Sequence, residues 1–302
     1  MSCDKNLIQD FLSLRNIKFK TDEPIKNIGY LRVGGASDFV VYPKDEQELT
    51  ELLAFLVKTC TRHKLVGKMS NLLPEDEGYR GVLIKSDALS SVLRDGEFIR
   101  VGCGLSLPSF SSLAMRHGFD GLAELSGIPA SVGGAIYMNA GAYGREISDF
   151  LVSASVFDPE DGCVKKLSRQ ELCFEYRHSI LKTRTLYLVD ATFKLPRGDK
   201  KEISERMRAV AEKRRNSQPI AYPSLGSVFK KHKDISAGYL VDKTGMKGLS
   251  VGGASVSQKH AGFIINTGGA SAKDYKTLVE IVKRRVDERF GITLCEEIEY
   301  LK

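Results

Sequence analysis

Leu49, Leu52, Leu53 and Leu56 recur at i, i+3, i+4 and i+7 within KDEQELTELLAFLVKT, and Pro43 stands just ahead of the run. This spacing lines four leucines along one stripe and predicts a helix. Before it, RVGGASDFVVYP reads as a turn leading into a strand. After it, HKLVGKMSNLL reads as a short strand entering a loop. The chain thus opens as β-α-β, typical of a mixed α/β domain. The middle follows a different pattern. GVLIKS, EFIRVGCG, LVSASVFDP, CVKKLS and LYLVDATFKL are short β-like runs separated by Gly, Asp and Pro. One helix, LPSFSSLAMRHG, interrupts them and ends at Gly118. A sheet-rich unit is expected from about residue 80 to 197. The last third returns to helical period. EISERMRAVAEKRRNSQP must stop before Pro219. In SAKDYKTLVEIVKRRVDERFG, Ser271 and Asp274 form an S-x-x-D cap. Tyr275, Leu278, Val279, Val282 and Val286 make the apolar stripe, and Gly291 ends the helix.

Composition changes this picture little. A chain of 302 residues suits two or three domains and buries enough core to need no disulfides. The 45 basic and 38 acidic residues leave a net charge of +7. That balance fits a nucleic-acid binder, an enzyme for anionic substrates, or a lysine-rich surface. The basic runs carry interleaved acids and form no long tail, so nucleic acid is not an expected partner. Cysteines at 3, 60, 103, 163, 173 and 295 contain no CxxC, which points to a reducing compartment. MSCDKNLIQDF has early acids and no apolar centre, unlike a secretory signal, and runs such as LLAFLV are too short to span a bilayer. A cytoplasmic protein with no membrane insertion is expected.

Several chemistries can be set aside. There is no GxxxxGK[ST] loop, VGCGLSLP lacks the third glycine of a dinucleotide fingerprint, and the histidines at 63, 117, 178, 232 and 260 are scattered. No metal site is expected. Four places remain. GIPASVGGAIYMNAGAYG, residues 127–144, has five glycines, four alanines and no charge. It reads either as a packed turn region or as a backbone cradle whose free N–H groups meet a ligand. In SQPIAYPSLGSVFKK, Ser227 reads as a turn former, a nucleophile or a proton donor, without the GxSxG elbow. Arg177 in FEYRHS lies in an apolar, strand-like setting and must pair with a protein carboxylate or an anionic substrate. Glu296 and Glu297 in GITLCEEIEYLK are adjacent, so in a strand they face opposite sides.

Taken in order, RVGG, SNLL, GIPASVGGAIYMNAGAYG, YRHS, QPIAYPSLGSVFK, AGYLVDKTGMKG, VGGASVSQKHAGFIINTGGASAKDY and FGITLCEEIE resemble the UDP-N-acetylenolpyruvoylglucosamine reductase family along nearly the whole chain. The resemblance implies an α+β architecture: a two-subdomain FAD-binding fold of the vanillyl-alcohol-oxidase (PCMH) type plus a C-terminal α/β substrate domain. The subdomains fall at 1–79 and 80–197, with the PCMH-type region about 27–197, and the UDP-sugar domain at 198–302. The short length resembles the compact type II subtype. It implies bound FAD, NADPH as co-substrate, UDP-N-acetylglucosamine enolpyruvate as substrate, a monomer, and a place in peptidoglycan precursor synthesis.

Arg177, Ser227 and Glu297 match the family's catalytic positions. The resemblance implies that Arg177 and Glu297 stabilise an enolate and that Ser227 protonates C2 after hydride from flavin N5 reaches C3. Tyr176 and Lys230 match substrate-pocket positions. Gly67, Ser70, Asn71, Gly127, Ile128, Pro129, Ser131, Val132, Gly133, Gly134, Asn139, Gly141 and Arg214 match the cofactor side. Another oxidoreductase of this fold, or a non-catalytic nucleotide-sugar-binding homologue, are the alternatives. Three positions depart from the family pattern: Met69 stands for a glycine, Gly29 for a threonine and Glu299 for an arginine. If position 69 needs a positive φ, Met69 is strained there or the loop runs differently.

Overall fold

The structure is a computed structural model that describes residues 5–302. Cys3 and the first residues of the amino-terminal segment read above for a leader lie outside the described residues. Two compact units form, each from three stretches of chain. The first takes the chain up to Thr21, Phe39–Lys68 and Arg80–Glu212; the second takes Asp22–Asp38, Met69–Tyr79 and Lys213–Lys302.

The leucine stripe forms the helix Glu46–Lys58, with Leu49, Leu52, Leu53 and Leu56 all buried. Asp45 caps it by accepting the Glu48 N–H at 2.9 Å. The helix accompanies a four-stranded sheet in the order Lys18–Pro24, Ala36–Tyr42, Tyr79–Lys85, His63–Val66. His63–Val66 and Tyr79–Lys85 run parallel. Tyr79–Lys85 therefore completes this sheet rather than opening the next one. It is buried at nearly every position, as a strand covered on both faces must be. Two elements near this sheet carry no long apolar pattern in the sequence. The helix Lys5–Leu14 buries only Ile8 and Leu12 and stacks Phe11 on Phe55 at 3.9 Å between centroids. The strand Lys18–Pro24 is mostly polar and exposed, which hides it from a hydrophobic pattern.

A five-stranded antiparallel sheet follows, ordered Cys163–Ser168, Leu151–Asp158, Tyr187–Lys194, Phe98–Gly102, Val92–Asp95. The helix Leu107–Arg116 covers it, capped by Ser106, and sets Phe110 against Phe193 at 5.0 Å. Asp190 is buried among these strands and is met by Arg100 and by the Ser155 hydroxyl at 3.0 Å.

In the second unit, Ser224–Ser227, Phe263–Asn266, Ala254–Val256 and Ser250–Val251 form an antiparallel sheet in that order. The helix Ala272–Phe290 buries the expected stripe, with the Ser271–Asp274 capping box at its start and Gly291 in the left-handed conformation at its end. A second cap comes from far back in the chain. The Asp76 carboxylate accepts the Ala272 and Lys273 N–H groups at 2.7 and 2.9 Å. Close by in sequence, Leu72–Pro74 pairs in parallel with Glu299–Leu301. Among the described residues no helix is long and apolar enough to cross a membrane.

Replacing Asp76 by Ala removes two charge-assisted bonds from a helix N-terminus. The expected loss is about 1–2 kcal/mol of unfolding free energy. Urea unfolding checks this, and an unchanged midpoint would show that Ser271 suffices as the cap.

Candidate active site

Arg177 sits in a tight turn of the first unit, closed by reciprocal backbone bonds between Glu175 and His178 at 3.2 and 3.1 Å. Its φ is 56°, a conformation unusual for a non-glycine residue. The guanidinium lies 4.9 Å from the centroid of the neighbouring Tyr176 ring and donates to the Gly141 carbonyl at 3.1 Å. A Cβ on Gly141 would come within 2.8 Å of the Arg145 carbonyl oxygen and 3.4 Å of the Arg177 guanidinium, so only glycine admits this approach. Asn139 locks the two pieces together. It is 1% exposed, and its amide donates to Glu146 at 2.7 Å and to the Glu175 carbonyl at 3.0 Å, while its oxygen accepts the Ser148 N–H. Asn139 thus supports the arginine turn from behind.

The uncharged stretch breaks into a loop and the short helix Val132–Tyr137. Its first donors are spent inside the protein: Val132 N–H goes to Leu105, Gly133 N–H to Cys103, both at 2.8 Å, and Gly134 N–H to the Ser131 hydroxyl at 3.2 Å. The free N–H groups expected at these three residues are therefore absent among the described residues. Ser126–Ala130, by contrast, are all half-buried and uncharged, and Gly134 is exposed. Gly67 presses against this segment, since a Cβ there would fall 2.1 Å from the Ser131 hydroxyl. Open, uncharged main chain of this kind fits a flat ring system such as the isoalloxazine of FAD. The nearby Cys103 thiol is fully buried and pushed up to about 12, so it is inert.

Ser227 and Glu297 belong to the second unit. Ser227 ends its strand just after Gly226, which takes a φ of 77° at a register shift. The Ser227 side chain is half-buried and makes no hydrogen bond among the described residues. The next residues are gripped from both sides: Val228 N–H donates to Gly262, and the Val228 carbonyl accepts the Glu297 N–H at 2.8 Å. Lys230 N–H donates to Cys295 at 2.8 Å. The serine strand and the glutamate segment are thus neighbours. Asn71 clamps the latter, donating its amide to the Glu297 carbonyl at 2.9 Å and accepting the Glu299 N–H at 2.9 Å. Glu296 is held elsewhere, by Lys283 at 3.0 Å and by the Tyr300 hydroxyl.

Of the expected cofactor contacts, Gly67 and those between Gly127 and Gly141 lie in the first unit; Ser70, Asn71 and the half-buried Arg214 lie in the second. Tyr176 is 40% exposed and Lys230 is half-buried. His63 is structural. Its Nδ1 faces the Thr61 carbonyl at 2.6 Å, its Nε2 faces the Tyr187 hydroxyl at 2.8 Å, and burial holds its pKa below the usual range. Lys85 is a residue that the sequence reading passes over. It stands in the apolar run GVLIK, where a cation needs partners for the same reason that Arg177 does.

Residues 37–168 match the FAD binding domain family, and residues 218–301 match the family of the UDP-N-acetylenolpyruvoylglucosamine reductase C-terminal domain. With its α+β architecture and FAD binding domain, the chain is a flavin-dependent oxidoreductase. It is 39% identical over 293 residues to UDP-N-acetylenolpyruvoylglucosamine reductase of Caldicellulosiruptor bescii, covering 96% of this chain and 93% of that one. The enzyme of the same name from Streptococcus pneumoniae is 39% identical over 288 residues, covering 95% of each. The crystal structure of UDP-N-acetylenolpyruvylglucosamine reductase from Thermus caldophilus superposes with a TM-score of 0.80 at 35% identity, covering 95% of this chain and 99% of that one. The chain belongs to the UDP-N-acetylenolpyruvoylglucosamine reductase family.

Two of the departures from the family pattern meet in space. Met69 keeps the left-handed backbone, with φ 55°, and is 5% exposed. Its Cε lies 3.9 Å from where a Cβ on Gly29 would stand. A Cβ at 29 would thus stand in ordinary contact with the thioether at 69. Met69→Gly relieves about 1–2 kcal/mol of left-handed strain and forfeits about 2–5 kcal/mol of buried side chain. The lost burial outweighs the relieved strain, so the variant is expected to lose about 1–3 kcal/mol in urea unfolding. A gain in stability would show that strain dominates at this position.

Proposed function

We propose that the protein reduces UDP-N-acetylglucosamine enolpyruvate to UDP-N-acetylmuramate at the expense of NADPH. In this reading it is a monomeric cytoplasmic enzyme of peptidoglycan precursor synthesis. Flavin is held by the unit that contains Phe39–Lys68 and Arg80–Glu212, in place of the expected subdomains 1–79 and 80–197, and the nucleotide sugar by the unit that contains Lys213–Lys302. The observation that carries the reading is the pairing of the Ser227 strand with the Glu297 segment, in a chain that also keeps Arg177.

Gly67 and residues 127–134 would hold FAD, which when bound would supply to C3 of the enolpyruvyl ether, from its N5, the hydride that NADPH provides. Negative charge then develops on C2 and the C1 carboxylate of the substrate. Arg177, always cationic, offsets that charge. Its left-handed turn and its bond to Gly141 fix the guanidinium in advance, which lowers the reorganisation needed in the transition state. Glu297 assists as a neutral acid or through a hydrogen bond. Its segment is held at Val228 and Asn71. Ser227 delivers its hydroxyl proton to C2. An alcohol is a weak acid, but an enolate is basic and needs only a well-placed donor. Tyr176 and Lys230 line the substrate pocket, and Lys230 adds a cation for the anionic nucleotide.

The purified protein is expected to be yellow and to oxidise NADPH only with the enolpyruvyl UDP-sugar present. Colourless protein that stays inactive with added FAD would overturn the proposal. Ser227→Ala should leave flavin reduction by NADPH intact, as bleaching of the visible band reads directly. Steady-state turnover should fall by at least about 10²-fold, in line with loss of a general acid. Turnover within about tenfold of the parent would remove Ser227 from the proton-donor role.

A further inference from the structure

Glu296 and Glu297 stand side by side, yet the protein holds them differently. The Val228 carbonyl accepts the Glu297 N–H, and the Lys230 N–H donates to Cys295, both at 2.8 Å. Between these two bonds Phe229 and Glu296 lie directly opposite each other. Opposed residues of an antiparallel pair share a face, and successive residues alternate. Glu296 therefore lies with Phe229, and Glu297 takes the other face together with Lys230. The main chain of Glu296 makes no hydrogen bond among the described residues, so its side chain is what ties this residue down.

That side chain is tied at both oxygens. One takes the Lys283 ammonium at 3.0 Å, and the other accepts the Tyr300 hydroxyl. Lys283 comes from the helix Ala272–Phe290 and is also met by Glu280 at 2.9 Å. Glu280 and Glu296 hold its ammonium above the usual range. Burial, together with the Glu296 carboxylate, raises the Tyr300 phenol, so it stays a donor at neutral pH. The Lys276 ammonium lies 5.8 Å from the Tyr300 ring centroid and pairs with Glu75.

The stretch CEEIE carries carboxylates at 296, 297 and 299, and side-chain chemistry alone does not tell them apart. A slip of one residue would turn Glu296 to the Lys230 face and carry Glu297 toward the helix. Ile298, 5% exposed, resists that slip on one side of Glu297. The clamp on Glu296 resists it on the other, and it also keeps the peptide between the two glutamates from turning over.

We infer that Glu296 is the positioning residue for Glu297: Lys283 and Tyr300 fix it on the helix side, and the fixed residue aims the Glu297 carboxyl at the substrate from the opposite face. This rests on the proposed reduction and names what holds its acid in place.

Stopped-flow absorbance separates the two halves of turnover in the full-length flavoprotein. Glu296→Ala should leave flavin reduction by NADPH unchanged. It should slow reoxidation by the enolpyruvyl UDP-sugar about tenfold, below the roughly 10²-fold that a 1 Å misplacement costs. Lys283→Met should slow the same step, and Lys283→Arg should restore it to within about threefold of the parent. The deciding comparison uses Glu297→Gln. A residue that acts only through the Glu297 carboxyl has nothing left to position there, so adding Glu296→Ala should cost less than about twofold. A second readout needs no turnover. Hydrogen exchange across residues 295–299 should speed about tenfold in Glu296→Ala, with the middle of the helix Ala272–Phe290 unchanged. Reoxidation at the parent rate, unchanged exchange, or equal slowing with and without the Glu297 carboxyl overturns the inference and leaves the proposed reduction in place. A parent whose reduced flavin is not reoxidised by the enolpyruvyl UDP-sugar overturns that reduction and this inference with it. If Glu296→Ala does not fold, Lys283→Met is carried through the same comparison and decides.

Discussion

The second unit closes on a short piece of chain that arrives from its far side in sequence. Asn71 grips the Glu297 segment, Leu72–Pro74 gives Glu299–Leu301 its strand partner, Glu75 meets Lys276, and Asp76 caps the helix Ala272–Phe290. Leu31, Val33 and Leu73 enter the same apolar core as Tyr275 and Val286. Without these residues the sheet and its long helix have no lid for one flank of their core, and Glu297 has no fixed place. The proposed acid chemistry therefore depends on long-range main-chain pairing as much as on the carboxylate itself.

The first unit achieves rigidity differently, by accepting unfavourable backbone conformations where side chains must be aimed. Asn139, Tyr143 and Arg177 all have positive φ, and all lie within the uncharged stretch or the arginine turn that it meets. Each such residue costs on the order of 1 kcal/mol or more and persists only where its surroundings dictate it. At Asn139 and Arg177 those surroundings are visible as hydrogen bonds to Glu146, Glu175 and Gly141. Burial of the amide and the guanidinium bond compensate the local strain. The product is a turn whose arginine has little freedom left to lose.

The parts of this fold that show themselves in the sequence are those with regular apolar spacing or a strong stop. The helices Glu46–Lys58 and Ala272–Phe290 carry stripes and caps and lie where the pattern puts them. The strand Lys18–Pro24 carries neither, being stabilised by pairing rather than by burial. Tyr79–Lys85 has a clear strand pattern, but a pattern does not name its partner, and its parallel neighbour His63–Val66 is reached across a loop. Around the candidate site the residue types were legible and their bonding was not. Asn139 and Asn71 read as cofactor contacts, yet their amides are spent on the protein's own carbonyls and carboxylates. Met69 is the opposite case, for the question of its backbone could be posed from the residue alone, and the answer needed coordinates.

The pairing of Leu72–Pro74 with Glu299–Leu301 also sets a clock. The Asn71–Glu297 bond that adjoins it spans 226 positions of chain. At roughly 5–20 residues per second on a ribosome, the early strand waits about ten to forty-five seconds before its partner exists. Through that interval Leu72 and Leu73 are apolar chain without their strand partner, open to pairing with the wrong segment. Newly made copies of this protein thus carry an unpaired segment at the place that later secures Glu297, and slower synthesis lengthens its exposure.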